Sequence, residues 1–365
     1  MIDRARRSLA VLLLVPVLGS CSAIGDIRRD PPAPTTAPPR PVVTAPAPLP
    51  PGGFDEVRAV RVAVAQRYDD PYVEFADAAH GWALFASCDG RPPDRNCPAL
   101  LFSTLDGGRS WVKVRHPRPV ADNQQLYTAA GLVTLLAEPH GWYASTDGGA
   151  SFVRTDGEPP AWRAAQGRFQ IIEGAERVGE WDGRTLRPLA VQPPVPGLNS
   201  VASSDDLVVA AGVAGDGPSA AVSTDRGRSW QRTPVPAADG ELSMVRAQVA
   251  PDSQVWLVGE RPDRLDFPAL WRYQGRWESV PAQSYPSRIL SVAPVGAGRV
   301  AVTGPYGAGV VIDGRYTPVA WPVGPNHYLT TLDDGTVFAR GSSDVVLGTG
   351  VGTDRRWIRV TVEGD

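Results

Sequence analysis

Ser103-Thr104-Leu105-Asp106-Gly107-Gly108-Arg109-Ser110-Trp111 is repeated as Ser145-Thr146-Asp147-Gly148-Gly149-Ala150-Ser151-Phe152 and again as Ser223-Thr224-Asp225-Arg226-Gly227-Arg228-Ser229-Trp230. The shared pattern is Ser/Thr-x-Asp-x-Gly-x-Ser-aromatic. An aspartate followed by glycine is a turn signal: the carboxylate accepts from nearby backbone N–H groups, and glycine takes positive φ without steric cost. Apolar runs such as Ala99-Leu100-Leu101-Phe102 precede the turns, and alternating runs such as Trp111-Val112-Lys113-Val114 follow them. Strand, turn, strand is a hairpin, and the aromatic opening its second strand is expected to be a buried anchor. The roles expected at Thr104, Asp106, Gly108 and Trp111, at Ser145, Asp147, Gly149 and Phe152, and at Ser223, Asp225, Gly227 and Trp230 are therefore structural.

The motif resembles the Asp-box, or bacterial neuraminidase repeat (BNR), of β-propeller proteins. The spacing agrees with a blade-sized repeat. Asp147 lies 41 residues after Asp106, and Asp225 lies 78 after Asp147, room for one repeat without a good motif. Residues 165–191 fill that gap, with Asp182-Gly183 as a worn turn. Beyond Trp230, the aromatics Trp277, Tyr316 and Trp357 follow at steps of 47, 39 and 41 residues. Seven units of about four short strands result, so the expectation is an all-β, seven-bladed β-propeller. The blades are expected near 72–116, 122–156, 161–192, 197–236, 242–281, 287–321 and 326–362. No amphipathic helix is read in 57–365, which disfavours a helical solenoid.

Working outward, Val57-Arg58-Ala59-Val60-Arg61-Val62-Ala63-Val64-Ala65 reads as a strand. Such a strand can close the ring by joining the last blade; a plain edge strand is the alternative. Upstream, Pro31-Pro32-Ala33-Pro34 and Pro46-Ala47-Pro48-Leu49-Pro50-Pro51 belong to a Pro/Ala/Thr-rich stretch that favours extended polyproline conformations and cannot build a core. Residues 1–20 carry Arg4, Arg6 and Arg7 before an apolar run, Leu9 to Leu18, too short for a membrane span. Leu18-Gly19-Ser20-Cys21 then looks like a bacterial lipobox, which implies a lipidated Cys21 and a membrane-surface anchor. The expected organisation is signal peptide 1–20, lipidated Cys21 and linker 21–53, and propeller 54–365. With Cys21 used for lipid, Cys88 and Cys97 are expected to form a disulfide outside the cytoplasm.

Composition sets limits on partners. The net charge of the chain is −3. Removing 1–20 takes away three Arg and one Asp, leaving −5 and no basic footprint for nucleic acid. Of the 36 basic residues only Lys113 is a lysine, a bias that points to a GC-rich bacterial source. The four histidines, His80, His116, His140 and His327, make no HxH or HExxH spacing, and Asp333-Asp334-Gly335 is read as a β-turn, so no metal or cofactor is expected. The resemblance to sialidases covers the repeats alone. That family's first substrate-clamping arginine sits in a Phe/Tyr-Arg-Ile-Pro motif, whereas Ser287-Arg288-Ile289-Leu290 lacks both the aromatic and the proline. The expected function is a membrane-anchored, monomeric, non-enzymatic module that binds an envelope protein or glycan. Its alternative is a divergent, sialidase-like glycoside hydrolase. The insertion Arg261-Pro262-Asp263-Arg264-Leu265-Asp266-Phe267-Pro268 is a candidate binding loop.

Overall fold

The computed structural model describes residues 46–365 except 92–95, 121–122, 216 and 282. The expected signal segment, Cys21 and the linker through residue 45 lie outside the described residues. Strand β1 (Glu56–Val62) leads into seven sheets. Blade one holds β2 (Tyr72–Phe75), β3 (Gly81–Phe85), β4 (Leu100–Thr104) and β5 (Val112–Val114). Blade two holds β6 (Asn123–Ala129), β7 (Leu132–Glu138), β8 (Trp142–Ser145) and β9 (Val153–Thr155). Helix α1 (Pro160–Ala165) precedes blade three, which has β10 (Phe169–Ile172), β11 (Arg177–Trp181) and β12 (Leu186–Pro188). Blade four is β13 (Leu198–Ser204), β14 (Leu207–Ala214), β15 (Gly217–Ser223) and β16 (Gln231–Thr233). Blade five is β17 (Met244–Val249), β18 (Val255–Glu260), β19 (Ala269–Tyr273) and β20 (Trp277–Ser279). Blade six is β21 (Ser291–Gly296), β22 (Arg299–Gly304), β23 (Gly307–Ile312) and β24 (Arg315–Val319). Blade seven is β25 (Tyr328–Thr331), β26 (Val337–Arg340), β27 (Val345–Val351) and β28 (Asp354–Gly364).

Strands β2 to β28 pair antiparallel in sequence order within their blades, with the first strands innermost, around the central cavity. This is a seven-bladed β-propeller. The meander gives the ring two unlike faces. Short turns joining first to second and third to fourth strands crowd one face, here the turn face. Second-to-third loops and blade-to-blade connections occupy the other, the loop face. All the long connections lie there, including 261–268, 280–290 and the one carrying α1.

The middle strands are sandwiched between neighbouring blades and are mainly apolar. Gly81, Trp82, Ala83, Leu84 and Phe85 of β3 are all buried. Val209 and Ala211 of blade four pack with Val245, Leu257 and Trp271 of blade five. The ring closes through Phe75 of blade one against Phe338, Leu347 and Val360 of blade seven. Each such side chain contributes about 1.5–3 kcal/mol by leaving water. Large side chains need room in the next strand: a Cβ on Gly348 would meet the Trp357 ring at 2.6 Å.

Closure is reinforced by β1, which pairs in parallel with β28 over seven residues, from Glu56↔Ile358 to Val62↔Gly364, as a fifth strand of blade seven. The chain reaches it from the loop face. Gly52 N–H donates to Ala320 O (3.1 Å), just past β24, and Asp55 N–H donates to Trp357 O (2.9 Å), near the turn-face end of β28. Residues 52–53, expected in the linker, thus already lie on the propeller. Leu49 approaches the same wall at Gly307.

Three further features differ from the sequence reading. Residues 160–165 form a helix of six residues, started by Pro160 at its first position and too short to leave a 3.6-residue period. Blade three lacks a fourth strand. The Asp182 turn therefore joins second and third strands and sits on the loop face, opposite the other Asp/Gly turns. After β12, the Gln192 side chain continues the pairing on β11: its Oε1 accepts from Val178 N–H (2.8 Å) and its Nε2 donates to Val178 O (3.0 Å). Finally, Trp277, Tyr316 and Trp357 are buried, but Trp111, Phe152 and Trp230 are only half-buried.

Candidate functional site

The three repeated turns use up their own polar groups. Thr104 Oγ1 donates to Asp106 Oδ1 (2.8 Å) and accepts from Gly108 N–H (2.8 Å), while Ser110 Oγ donates to Asp106 Oδ2 (2.6 Å). Ser145, Asp147, Gly149 and Ser151 repeat the pattern, with Gly149 N–H donating to Ser145 Oγ at 2.8 Å. Ser223, Asp225, Gly227 and Ser229 do so again, with Gly227 N–H to Ser223 Oγ at 2.7 Å. The Ser229 hydroxyl and N–H, with the Ser223 hydroxyl, hold the Asp225 carboxyl down at about 2. Hydrogen bonds from Ser145 and Ser151 likewise depress Asp147. At Asp106 burial works upward, but the Ser110, Thr104 and Arg109 donors outweigh it. These carboxylates are turn staples.

The glycines of the turns also explain the joints between blades. Gly108, Gly149 and Gly227 have positive φ (89°, 95° and 76°). A Cβ there would meet Val360, Val114 and Leu189, each on the preceding blade. In the blades without the motif other groups make the joint. Arg355, buried between blades six and seven, donates to the carbonyls of Gly352, Gly335, Gly348 and Val295. Its desolvation lowers its pKa.

The loop face carries the exposed aromatics. Among the described residues four aromatic side chains are exposed: Tyr72 (43%), Tyr285 (48%), Tyr306 (51%) and Tyr328 (60%). All four sit on the loop face, in an arc from blade five round to blade one. Tyr285 stacks on Phe267 of the 261–268 insertion, ring centroids 4.5 Å apart. Tyr328 stands directly across the sheet from Arg340. Arg340 donates to Tyr72 Oη (2.5 Å), lies 4.5 Å from the centre of that ring, and is ion-paired with Glu74. Exposed large aliphatics of the turns, Leu105 and Val351, belong to the opposite face.

Behind the arc three cavities run together. One of about 310 Å³ opens between blades five and six, lined by Tyr328, Leu290, Glu260 and Arg246. It shares Arg246 and Val292 with a central cavity of about 400 Å³ lined by the innermost strands of blades three to seven. That cavity shares Gln166, Phe169 and Val201 with a third of about 590 Å³ between blades three and four. Two ion pairs lie along this cleft, Arg246 with Glu260 (2.6 Å) and Arg163 with Glu158 (2.8 Å), beside Glu173, Arg261, Arg264 and Asp266.

The other expected site residues are placed as follows. Cys88 and Cys97 form a disulfide (Cα–Cα 6.5 Å) in the second-to-third loop of blade one. Cys21 lies outside the described residues. His80 is tied to Asp77 within its own turn (Nδ1–Oδ2 2.7 Å). His116 Nδ1 accepts from Arg118 N–H, so its proton is on Nε2, facing Gln124 Oε1 (2.9 Å). Burial pulls its pKa down to about 4, against the Gln124 hydrogen bond. No three His, Cys, Asp or Glu side chains among the described residues gather as a metal site. Sequence reasoning named the 261–268 loop but missed the tyrosine arc, whose one local signal is that Tyr72 and Tyr328 open innermost strands.

No protein-family profile and no curated protein matches the sequence. Solved structures that resemble it include YCF48 from Cyanidioschyzon merolae, at 15% identity over 79% of this chain and 97% of that one, with a TM-score of 0.42. Apo AztD from Citrobacter koseri resembles it at 11% identity over 81% and 87%, with a TM-score of 0.41. A GH74 xyloglucanase from Xanthomonas campestris does so at 16% identity over 78% and 46%, with a TM-score of 0.28. Likenesses this distant carry nothing about function, and the propeller assignment rests on the seven sheets themselves.

Proposed function

We propose that the protein is an extracytoplasmic binding propeller, held on the membrane surface through a lipidated Cys21 and a proline-rich tether, that captures an envelope protein or glycan on its loop face without chemical turnover. In this reading the repeated turns are Asp-boxes of the BNR type, serving as structural staples on the far side. The observation that carries it is the segregation of all four exposed aromatics to one face. Tyrosine offers a large contact area with few rotatable bonds and a polar tip, which suits recognition. The test is capture from solubilised envelope with the wild-type chain, a Tyr285→Ser/Tyr328→Ser variant and a Leu105→Ser/Val351→Ser variant. Capture lost in the first variant alone supports the loop face. Equal capture by all three overturns it.

One cluster favours a second reading, a divergent sialidase-like hydrolase. Tyr72 and Glu74 stand on one strand beside Arg340, the residue types such an enzyme uses. Here, however, Arg340 lies between the two and is held by both, which leaves Glu74 serving as counter-ion to the arginine. Release of fluorophore from a sialoside, abolished by Tyr72→Phe, would establish the hydrolase instead.

A further inference from the structure

We infer that the cavity between blades five and six is an anchor pocket for an extended segment of a partner protein. It takes one large apolar side chain, and the residues flanking that side chain meet two exposed charges at the pocket. This rests on the loop face being the binding face. The wall of the cavity carries the first half of the inference. Val258, Leu265, Pro268, Ile289, Leu290 and Val292 line it, and Tyr328 joins them from blade seven. Val258 and Ile289 are buried, while Leu265, Leu290 and Val292 are half-buried. A cavity of about 150 Å³ holds a benzene-sized group. At about 310 Å³ this one has room for a phenyl or indole side chain with part of its main chain.

The pocket is also preformed. Asp263 folds the 261–268 insertion over it. Its Oδ1 accepts from Leu265 N–H (2.9 Å), its Oδ2 from Arg288 (3.4 Å) and its carbonyl from Asp266 N–H (3.0 Å). Ile289 N–H donates to Leu265 O (2.7 Å), which fastens the insertion to the connection entering blade six. Arg261 donates to the carbonyls of Asp239, Glu241 and Phe267. An anchor side chain therefore enters a wall that needs no ordering, the setting in which a single residue contributes most to binding.

Charge selects the occupant. Arg246 and Glu260 answer each other. Arg264 and Asp266 also line the pocket and are exposed, and neither side chain has a hydrogen bond or ion pair among the described residues. A lipid acyl chain would cover both charges and answer neither, and a sugar would set its hydroxyls against the aliphatic wall. A peptide meets all three demands: an apolar side chain for the wall, an acidic neighbour for Arg264 and a basic neighbour for Asp266.

The test selects from a phage-displayed library of random dodecapeptides on the full-length protein. The enriched sequences are expected to share one Trp, Phe or Leu with an acidic residue on one side and a basic residue on the other. For such a peptide, calorimetric titration should show binding weakened at least tenfold by Leu265→Asp, the scale of one large side chain leaving water. Arg264→Glu changes an exposed residue and leaves the fold intact. It should weaken binding about fivefold, the scale of an exposed ion pair, and replacing the acidic residue of the peptide by lysine should restore it. Undiminished binding to both variants overturns the inference, as does enrichment of peptides without an apolar residue or of none. Displacement of the peptide by chitotriose gives the pocket to a glycan and overturns it too. Leu265→Asp leaves the four tyrosines in place. If it captures envelope material like the wild type while Tyr285→Ser/Tyr328→Ser does not, the pocket falls and the loop face stands. If the tyrosine variant also captures like the wild type, both fall.

Discussion

Thr104 shows how one hydroxyl organises a turn. It is 1% exposed, donates to Asp106 and accepts from Gly108 N–H. Thr104→Val keeps the shape and leaves that N–H unpaired, so urea unfolding should show a loss of about 1–3 kcal/mol. The aspartates predict the acid response. A carboxyl whose folded pKa is depressed stabilises the fold above its unfolded value, near 4, and that stability drains away as pH falls through the folded value. For Asp225 the window runs from about 4 down to about 2. Asp225→Asn should lower the midpoint at pH 7 and flatten its decline over that window, as differential scanning calorimetry at stepped pH would register. His116 acts higher. Its folded value of about 4 lies below the ordinary 6.5, so the unfolded chain binds the extra proton and stability falls as pH drops between those values. The imidazole should remain an Nε2–H tautomer at pH 5 by nitrogen NMR. This scale was legible where interactions are local: Ser, Asp and Gly lie within four residues of their partners. It was illegible where partners are remote, as with Arg340 and Tyr72, 268 residues apart. Only closure of the ring brings those two together.

At the scale of elements, β1 matters more than its seven residues suggest. Arg58, buried, donates to Gly107 O (2.5 Å) in the first repeated turn and is held by Glu56 (2.8 Å). Glu56 also meets Arg109 of blade one (3.3 Å) and Arg356 of blade seven (2.7 Å). Hydrogen bonding from Arg58, with the charges of all three arginines, holds its carboxyl down at about 2. One strand thus clasps the first blade to the last. Arg58→Met should cost about 1.5–3 kcal/mol in urea unfolding, the range for a hydrogen bond to a charged group. The sequence marked 57–65 as a strand because it is Val-rich without Gly or Pro. Its role in closing the ring on the last blade, offered from the same stretch, is met by the pairing with β28; the parallel register is the tertiary fact. Helix α1 and the missing fourth strand of blade three escaped notice for a related reason: neither leaves a period, since one is six residues long and the other is simply absent from the sheet.

At the largest scale the seven blades form a closed ring in which each packs on two neighbours. No blade can unfold without exposing the apolar flanks of the blades beside it. Thermal unfolding is therefore expected as one transition, with calorimetric and van't Hoff enthalpies in agreement. A chain shortened to begin at residue 63 should melt at a lower temperature, because the first-to-last joint keeps its apolar contacts but loses the clasp. The global fold was the most legible level of all. Seven aromatic or Asp/Gly signals about 40 residues apart suffice for a propeller, since that spacing suits four short strands and little else. The cleft was the least legible, because its walls are short runs drawn from five blades.

The parallel pairing of β1 with β28 also has a mechanical side. The chain arrives at Glu56 from the loop face and then runs back toward it. Tension drawn from the loop-face side would strip residues 52–55 first and then open the seven pairs singly, beginning at Glu56↔Ile358. Tension from the turn-face side would shear all seven at once and meet far greater resistance. The ring is thus a directional fastener, firm against a pull from one side and yielding to a pull from the other.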